Sequence, residues 1–191
     1  MGKPQLGNTI ENAFRMNTGG ISLGSPAASS ATAIHAAVAD NGAQQTISTG
    51  ITNPDVPRNV TATTTGTGAN VTAVQVVVNG TDAEGKAISE TLPAFTAGAN
   101  GTVVGSKAFA TITSIVIPAN GTGVSTAIGT GSKLGLGTRL KRDTINQAYL
   151  NGVREATRPT VAVDAVNLSG NTVQLNSALN GSPVVVDYFA T

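Results

Sequence analysis

The stretch Phe109-Ala110-Thr111-Ile112-Thr113-Ser114-Ile115-Val116-Ile117 decides the fold class. Phe109, Thr111, Thr113, Ile115 and Ile117 occupy alternate positions, so an extended backbone puts them on one side. The run is rich in β-branched residues, which pack well on a pleated surface. Pro118 follows it, and Asn120-Gly121 turns the chain. One strand is predicted over residues 109–117.

The same texture extends outward. Arg58–Thr65 is Thr-rich and β-branched. In Val71–Asn79, Val74, Val76 and Val78 face one way and Val71, Ala73 and Val77 the other, and Asn79-Gly80 is read as a turn. Lys86–Leu92 sets Ala87, Ser89 and Thr91 against Ile88, Glu90 and Leu92, with Pro93 closing it. Asn100-Gly101 marks another turn. Val124–Ile128 and Lys133–Leu136 read as two short strands flanked by glycine. Further on, Val161, Val163 and Ala165 alternate, then Val173 and Leu175, then Val184, Val186 and Tyr188, with Asn180-Gly181 between the last two. Strands at roughly ten-residue intervals with turn signals between them indicate a sandwich or barrel. Arg139–Asn151 admits either a short helical turn from Asp143 to Leu150 or a strand carrying Ile145, Gln147 and Tyr149.

The predicted fold is all-β: an antiparallel β-sandwich or β-barrel-like core over residues 56–137, a smaller C-terminal β subdomain over 138–191, and an extended, weakly structured N-terminal arm over 1–55. In the arm, Ser25-Pro26-Ala27-Ala28-Ser29-Ser30 resembles a linker, Ala31–Val38 reads as a weak strand or short helix, and Ile10 and Phe14 are the bulky anchors before Ile21.

Composition points to association. The chain has 191 residues but no Trp, two Tyr and four Phe, so a core built from it is thin. Only 11% of its residues are charged, against about 25% in a typical soluble domain, and the net charge is +1. Weak net charge favours packing against other molecules. The absence of Cys excludes disulfides and thiolate metal sites. Met1-Gly2-Lys3-Pro4-Gln5 carries no apolar h-region, and no run of about 18 apolar residues occurs. Synthesis and folding in a cytoplasm are expected.

Catalytic chemistry finds little footing. Gly80-Thr81-Asp82-Ala83-Glu84-Gly85-Lys86-Ala87 has the spacing of a phosphate-binding loop, but Ala87 stands where a hydroxyl would hold magnesium. Asp82 and Glu84 would repel phosphate, and a strand pattern follows instead of a helix; a hairpin accounts for all of it. Gly129-Thr130-Gly131-Ser132-Lys133 is read as a tight connection between strands. His35 is the single histidine, which rules out a His-pair metal site. Of the seven N-x-[ST] sequons, four are Asn-Gly-Thr or Asn-Gly-Ser, which is the turn chemistry itself. No catalytic residue, cofactor or metal is expected. The concentrated charge is basic: Lys133, Arg139, Lys141 and Arg142, followed by Arg154 and Arg158. They could touch nucleic acid or an acidic protein face; aromatic residues do not interleave with them, so base stacking is not supported, and a salt-bridging interface segment is the preferred reading. The candidate interface comprises Ile10, Phe14, Arg139, Lys141, Arg142, Arg154 and Arg158.

Several segments resemble one family. They are Asn53-Pro54-Asp55-Val56-Pro57-Arg58-Asn59-Val60-Thr61, Gly80 to Thr91, Gly105-Ser106-Lys107-Ala108-Phe109 through Ile115, Gly131-Ser132-Lys133-Leu134-Gly135-Leu136, and the ending Val184-Val185-Val186-Asp187-Tyr188-Phe189. Their order, over residues 53–191, resembles the small structural proteins of tailed-bacteriophage virions described as head decoration or cement proteins. The resemblance implies a non-enzymatic protein on the outer capsid surface, made in the host cytoplasm. It would bind the major capsid protein, associate with itself as a homotrimer and bridge capsomers. Nucleic acid, membrane and small-molecule substrates are not among the implied partners. Two other expectations stand beside it: a phage tail or baseplate component, and a cell-surface adhesion or carbohydrate-binding module. The last is disfavoured by the scarcity of aromatic rings to stack on sugars.

Overall fold

The computed structural model describes residues 18–189 of the chain. Ile10 and Phe14 lie outside the described residues. Fourteen strands follow in order: β1 Thr18–Ser22, β2 Ser30–Ala39, β3 Gln45–Ile47, β4 Arg58–Gly66, β5 Val77–Thr81, β6 Ala87–Thr91, β7 Thr102–Phe109, β8 Thr111–Ile117, β9 Val124–Gly135, β10 Ile145–Leu150, β11 Val153–Arg154, β12 Thr160–Ala162, β13 Thr172–Gln174 and β14 Val184–Phe189. The protein is all-β with antiparallel sheets, one of them curled into a half-barrel. The sheets run β12-β13-β9-β4-β7 with β2 also on β9, then β3-β8-β5-β6, and β1-β14-β10-β11.

The apolar residues are divided between two separate cores. The first gathers Val60, Ala62, Val124 and Ile128 from the six-stranded sheet, Val78, Ile115 and Ile117 from the β3-β8-β5-β6 sheet, and Leu92, Phe95 and Phe109. The second gathers Leu134, Leu136 and Val173 with Ile145, Ala148, Val184 and Val186 of the β1-β14-β10-β11 sheet. Dividing the apolar residues this way lets Val, Ile and Leu fill both volumes with little aromatic help.

The stretch read as one strand over 109–117 is two. The chain bends at Ala110, leaving β7 in the six-stranded sheet and β8 in the β3-β8-β5-β6 sheet. A register shift where β8 crosses Asn79/Gly80 reverses the alternation there, so Ile112 is buried and Thr113 exposed. The same crossing explains Asn79-Gly80, which lies inside β5 and makes no turn. A Cβ on Gly80 would stand 2.0 Å from the Thr111 carbonyl oxygen. Glycine is there for close backbone approach. The turn falls later, where Asp82 Oδ1 accepts from the N–H groups of Glu84 and Lys86 at 3.0 Å each. Gly80–Ala87 is thus the hairpin of β5 and β6.

Val124–Ile128 and Lys133–Leu136 are likewise not two strands. Val124–Gly135 is one 12-residue strand, pairing with β4 along one edge and with β2 and β13 along the other. Its internal glycines admit neighbours: a Cβ on Gly129 would meet the Ser30 carbonyl oxygen at 2.0 Å. Over residues 145–150 the strand reading holds and the helical one does not.

Residues 18–55 are not an arm. They supply one strand to each sheet: β1 pairs β14, β2 pairs β9 and β3 pairs β8. Ile34 is buried in the first core and Leu23 in the second. The second core therefore draws on both ends of the chain, and residues 138–191 do not build it alone. Ser25–Ser30 is fixed by Arg58, only 1% exposed. The Arg58 guanidinium donates to the Ala27 carbonyl at 2.9 Å and to Ser29 Oγ at 3.3 Å, and pairs with Asp55 at 3.1 Å. Asp55 Oδ2 accepts the Ala27 N–H at 2.6 Å. Burial pushes the Asp55 carboxyl up, but the Ala27 N–H and the Arg58 guanidinium outweigh it and hold it below its ordinary 3.8.

Strand β4 sits between two irregular neighbours, with register shifts against both β7 and β9 near Asn59. The ladder groups freed there are satisfied by side chains. Asn59 Nδ2 donates to the Gly105 carbonyl and its Oδ1 accepts the Lys133 N–H, each at 2.9 Å. Arg58 Nε donates to the Gly131 carbonyl at 2.8 Å. Glu90, reaching across from β6, accepts from Ser106 N–H at 2.7 Å and Lys107 N–H at 3.2 Å. Buried backbone groups need such partners, and Glu90 also joins the two sheets of the first core.

Candidate interface

The cationic residues lie on a loop whose direction is set by one buried amide. Asn171 is fully buried; its Oδ1 accepts from Leu140 N–H at 3.0 Å and Asp164 N–H at 3.2 Å, and its Nδ2 donates to the Asp164 carbonyl at 2.6 Å. Its backbone carbonyl accepts the Leu136 N–H at 2.9 Å. With Leu136 and Leu140 drawn into the second core, Arg139, Lys141 and Arg142 are turned to solvent. Asn171 carries no sequence signal beyond its place between Gly170 and Thr172.

The five described members of the candidate interface divide in two. Arg139 is committed to an ion pair with Glu84 of the β5–β6 turn. Arg158 pairs with Asp143 and donates from Nε and Nη2 to the Ile145 carbonyl at 2.9 and 2.7 Å, pinning the start of β10. Both serve internal structure, a role that charge counting along the sequence does not reveal. Lys141, Arg142 and Arg154 are exposed and form no ion pair among the described residues. Lys141 and Arg142 border a cleft of about 310 Å³ whose far wall is Tyr188 and Phe189 at the end of β14. Arg154 sits apart on β11, opposite Tyr149 and beside Val153, which is 68% exposed. Arg139 lines the cleft as well, so three cations, one of them paired with Glu84, and two aromatic side chains surround it. The set suits a carboxylate-bearing protein segment, with ion pairing to the cations and apolar contact on the rings.

Elsewhere, His35 Nδ1 lies 2.8 Å from the Ala36 carbonyl, on a strand that packs against β9. Asp164 is held below its ordinary 3.8 by the N–H groups of Asn167 and Val166. Lys86 Nζ donates to Asn167 Oδ1 at 3.2 Å, so the lysine of the Gly80–Ala87 run binds the loop between β12 and β13. Among the described residues no three His, Cys, Asp or Glu side chains gather into a potential metal site, and no helix is long and apolar enough to cross a membrane.

Comparison with protein-family models, with curated proteins and with solved structures returned no match to this chain.

Proposed function

We propose that the protein is a non-enzymatic structural component of a tailed-phage virion, a head decoration protein that binds the outside of the assembled capsid. In this reading its partner is the major capsid protein, it acts as a homotrimer, and it stabilises the shell by bridging capsomers. Its place is the capsid surface, after synthesis in the host cytoplasm. The reading draws on the resemblance over residues 53–191. The observation that carries it is the cleft bordered by Lys141 and Arg142: exposed cations with no ion-pair partner among the described residues, on a loop fixed to the core through Leu140 and Asn171. A loop already held in place loses little freedom on docking. Contacts that are weak singly become strong when repeated around a shell, and binding only to the assembled form stabilises it by mass action.

Bare, expanded capsids of the parent phage, mixed with purified protein, test the proposal. Saturable binding and a native mass of three chains are expected. Binding to tail tubes instead, with six- or twelvefold rings, would overturn the capsid assignment in favour of a tail or baseplate role.

A further inference from the structure

Six Asn-Gly pairs occur, at Asn41, Asn79, Asn100, Asn120, Asn151 and Asn180. A glycine N–H is the least hindered backbone nucleophile for the preceding carboxamide, because no Cβ shields it. Attack needs the glycine nitrogen and the Asn side chain to be free at once, and hydrogen bonding in the folded chain removes that freedom at five of the six pairs. Gly42 N–H is bonded to Asp40 Oδ2 at 3.2 Å, Gly101 N–H to Thr64 Oγ1 at 3.0 Å and Gly181 N–H to the Pro26 carbonyl at 2.8 Å. Asn79-Gly80 lies in β5, hydrogen-bonded on both sides, with Asn79 Nδ2 on Ser114 Oγ at 3.1 Å. Asn120 is partly buried, and its Oδ1 accepts from both the N–H and the hydroxyl of Thr72, at 2.8 and 3.0 Å.

Asn151-Gly152 differs. It is the exposed tip joining β10 to β11, with Asn151 at φ 53° and Gly152 at φ 74°. Neither the Asn151 carboxamide nor the Gly152 N–H has a hydrogen-bond partner among the described residues. Below the tip the ladder runs through Leu150 with Val153 and Tyr149 with Arg154, Glu155 N–H continues it to the Ala148 carbonyl at 2.9 Å, and Asn151 N–H is held by the Pro183 carbonyl at 2.8 Å; none of these bonds involves the Asn151 carboxamide or the Gly152 N–H.

We propose that Asn151 is a site of spontaneous deamidation selected by the fold. The Gly152 backbone nitrogen, losing its proton to solvent base, bonds to Asn151 Cγ. The Cγ–Nδ2 bond breaks, and ammonia leaves with the proton it needs. Water then opens the resulting succinimide at either carbonyl, leaving aspartate or isoaspartate. The product adds one carboxylate three residues before Arg154 and takes the formal net charge from +1 to zero. The inference does not depend on the virion assignment.

The test is ageing of the full-length native protein in warm, mildly alkaline buffer, followed by peptide mapping. The tryptic peptide running from Asp143 to Arg154 reports Asn151. Acid products are expected there about tenfold faster than at any of the other five pairs, the factor that follows from one retained hydrogen bond at the reacting groups. In denaturing urea the six rates should converge. The proposal is overturned if another Asn-Gly pair matches or exceeds Asn151 in the native protein. It is equally overturned if Asn151 does not react there, or if the native and urea samples give the same ratios.

Discussion

Replacing Asn59 by leucine keeps the branched outline of the side chain, with somewhat greater bulk, and removes both hydrogen bonds that bridge β4 to its irregular neighbours. The Gly105 carbonyl loses its donor and the Lys133 N–H its acceptor. Asn59 is fully buried, so water cannot replace it without rearrangement. Leaving a buried polar group unpaired costs about 1–3 kcal/mol, so two cost about 4 kcal/mol. That is a large fraction of a total stability of about 5–15 kcal/mol. With a urea slope near 2 kcal/mol/M, the midpoint should fall by about 2 M with the slope unchanged. Far-ultraviolet circular dichroism can follow the transition without tryptophan. Asn59→Asp supplies an internal control. One carboxylate oxygen still accepts from Lys133, while the other faces the Gly105 carbonyl, which only a protonated acid can satisfy. That variant's folded-state pKa is raised, so its deficit should shrink as the pH falls. A leucine variant within about 0.5 kcal/mol of the parent protein, the range of neutral surface changes, would refute the bridging role.

Other outcomes are expected from the same structure. Asp55 is held below its ordinary 3.8, so its contribution is complete above that pH and fades as pH falls further. Asp55→Asn should accordingly be less stable than the parent near neutrality and converge with it below about 3.8 in acid-unfolding curves. Gly129→Ala places a methyl 2.0 Å from the Ser30 carbonyl oxygen, a backbone atom, and should cost about 2 kcal/mol or more in thermal or urea unfolding. Lys141→Glu with Arg142→Glu should leave stability within about 0.5 kcal/mol, because neither side chain has an ion-pair partner among the described residues. Capsid binding should weaken sharply, and unchanged binding would remove the cleft from the proposed interface.

Alternation of β-branched residues showed that the chain is all-β and located most of the strands, because side-chain direction in a strand is a local property of the backbone. Arg58–Thr65, the Gly80–Ala87 hairpin and the strands around Val161, Val173 and Val186 were all legible this way. The concentration of cations was legible too, but not its use: only long-range pairing separates Arg139 and Arg158, spent on Glu84 and Asp143, from Lys141 and Arg142. Glycine was the main source of misreading. At Gly80 and Gly129 it marks backbone-to-backbone approach inside strands, and a sequence does not distinguish that from a turn. The integration of residues 18–55 was hidden for a related reason. Ala- and Ser-rich segments have little apolar pattern of their own, and here they are ordered by hydrogen bonds from the distant Arg58 and Asp55 and by pairing with β9 and β14. Even the opening stretch at Phe109–Ile117 follows this division. Its extended character is written in its residues, while the bend at Ala110 that sends it into two sheets depends on the strands it meets on either side.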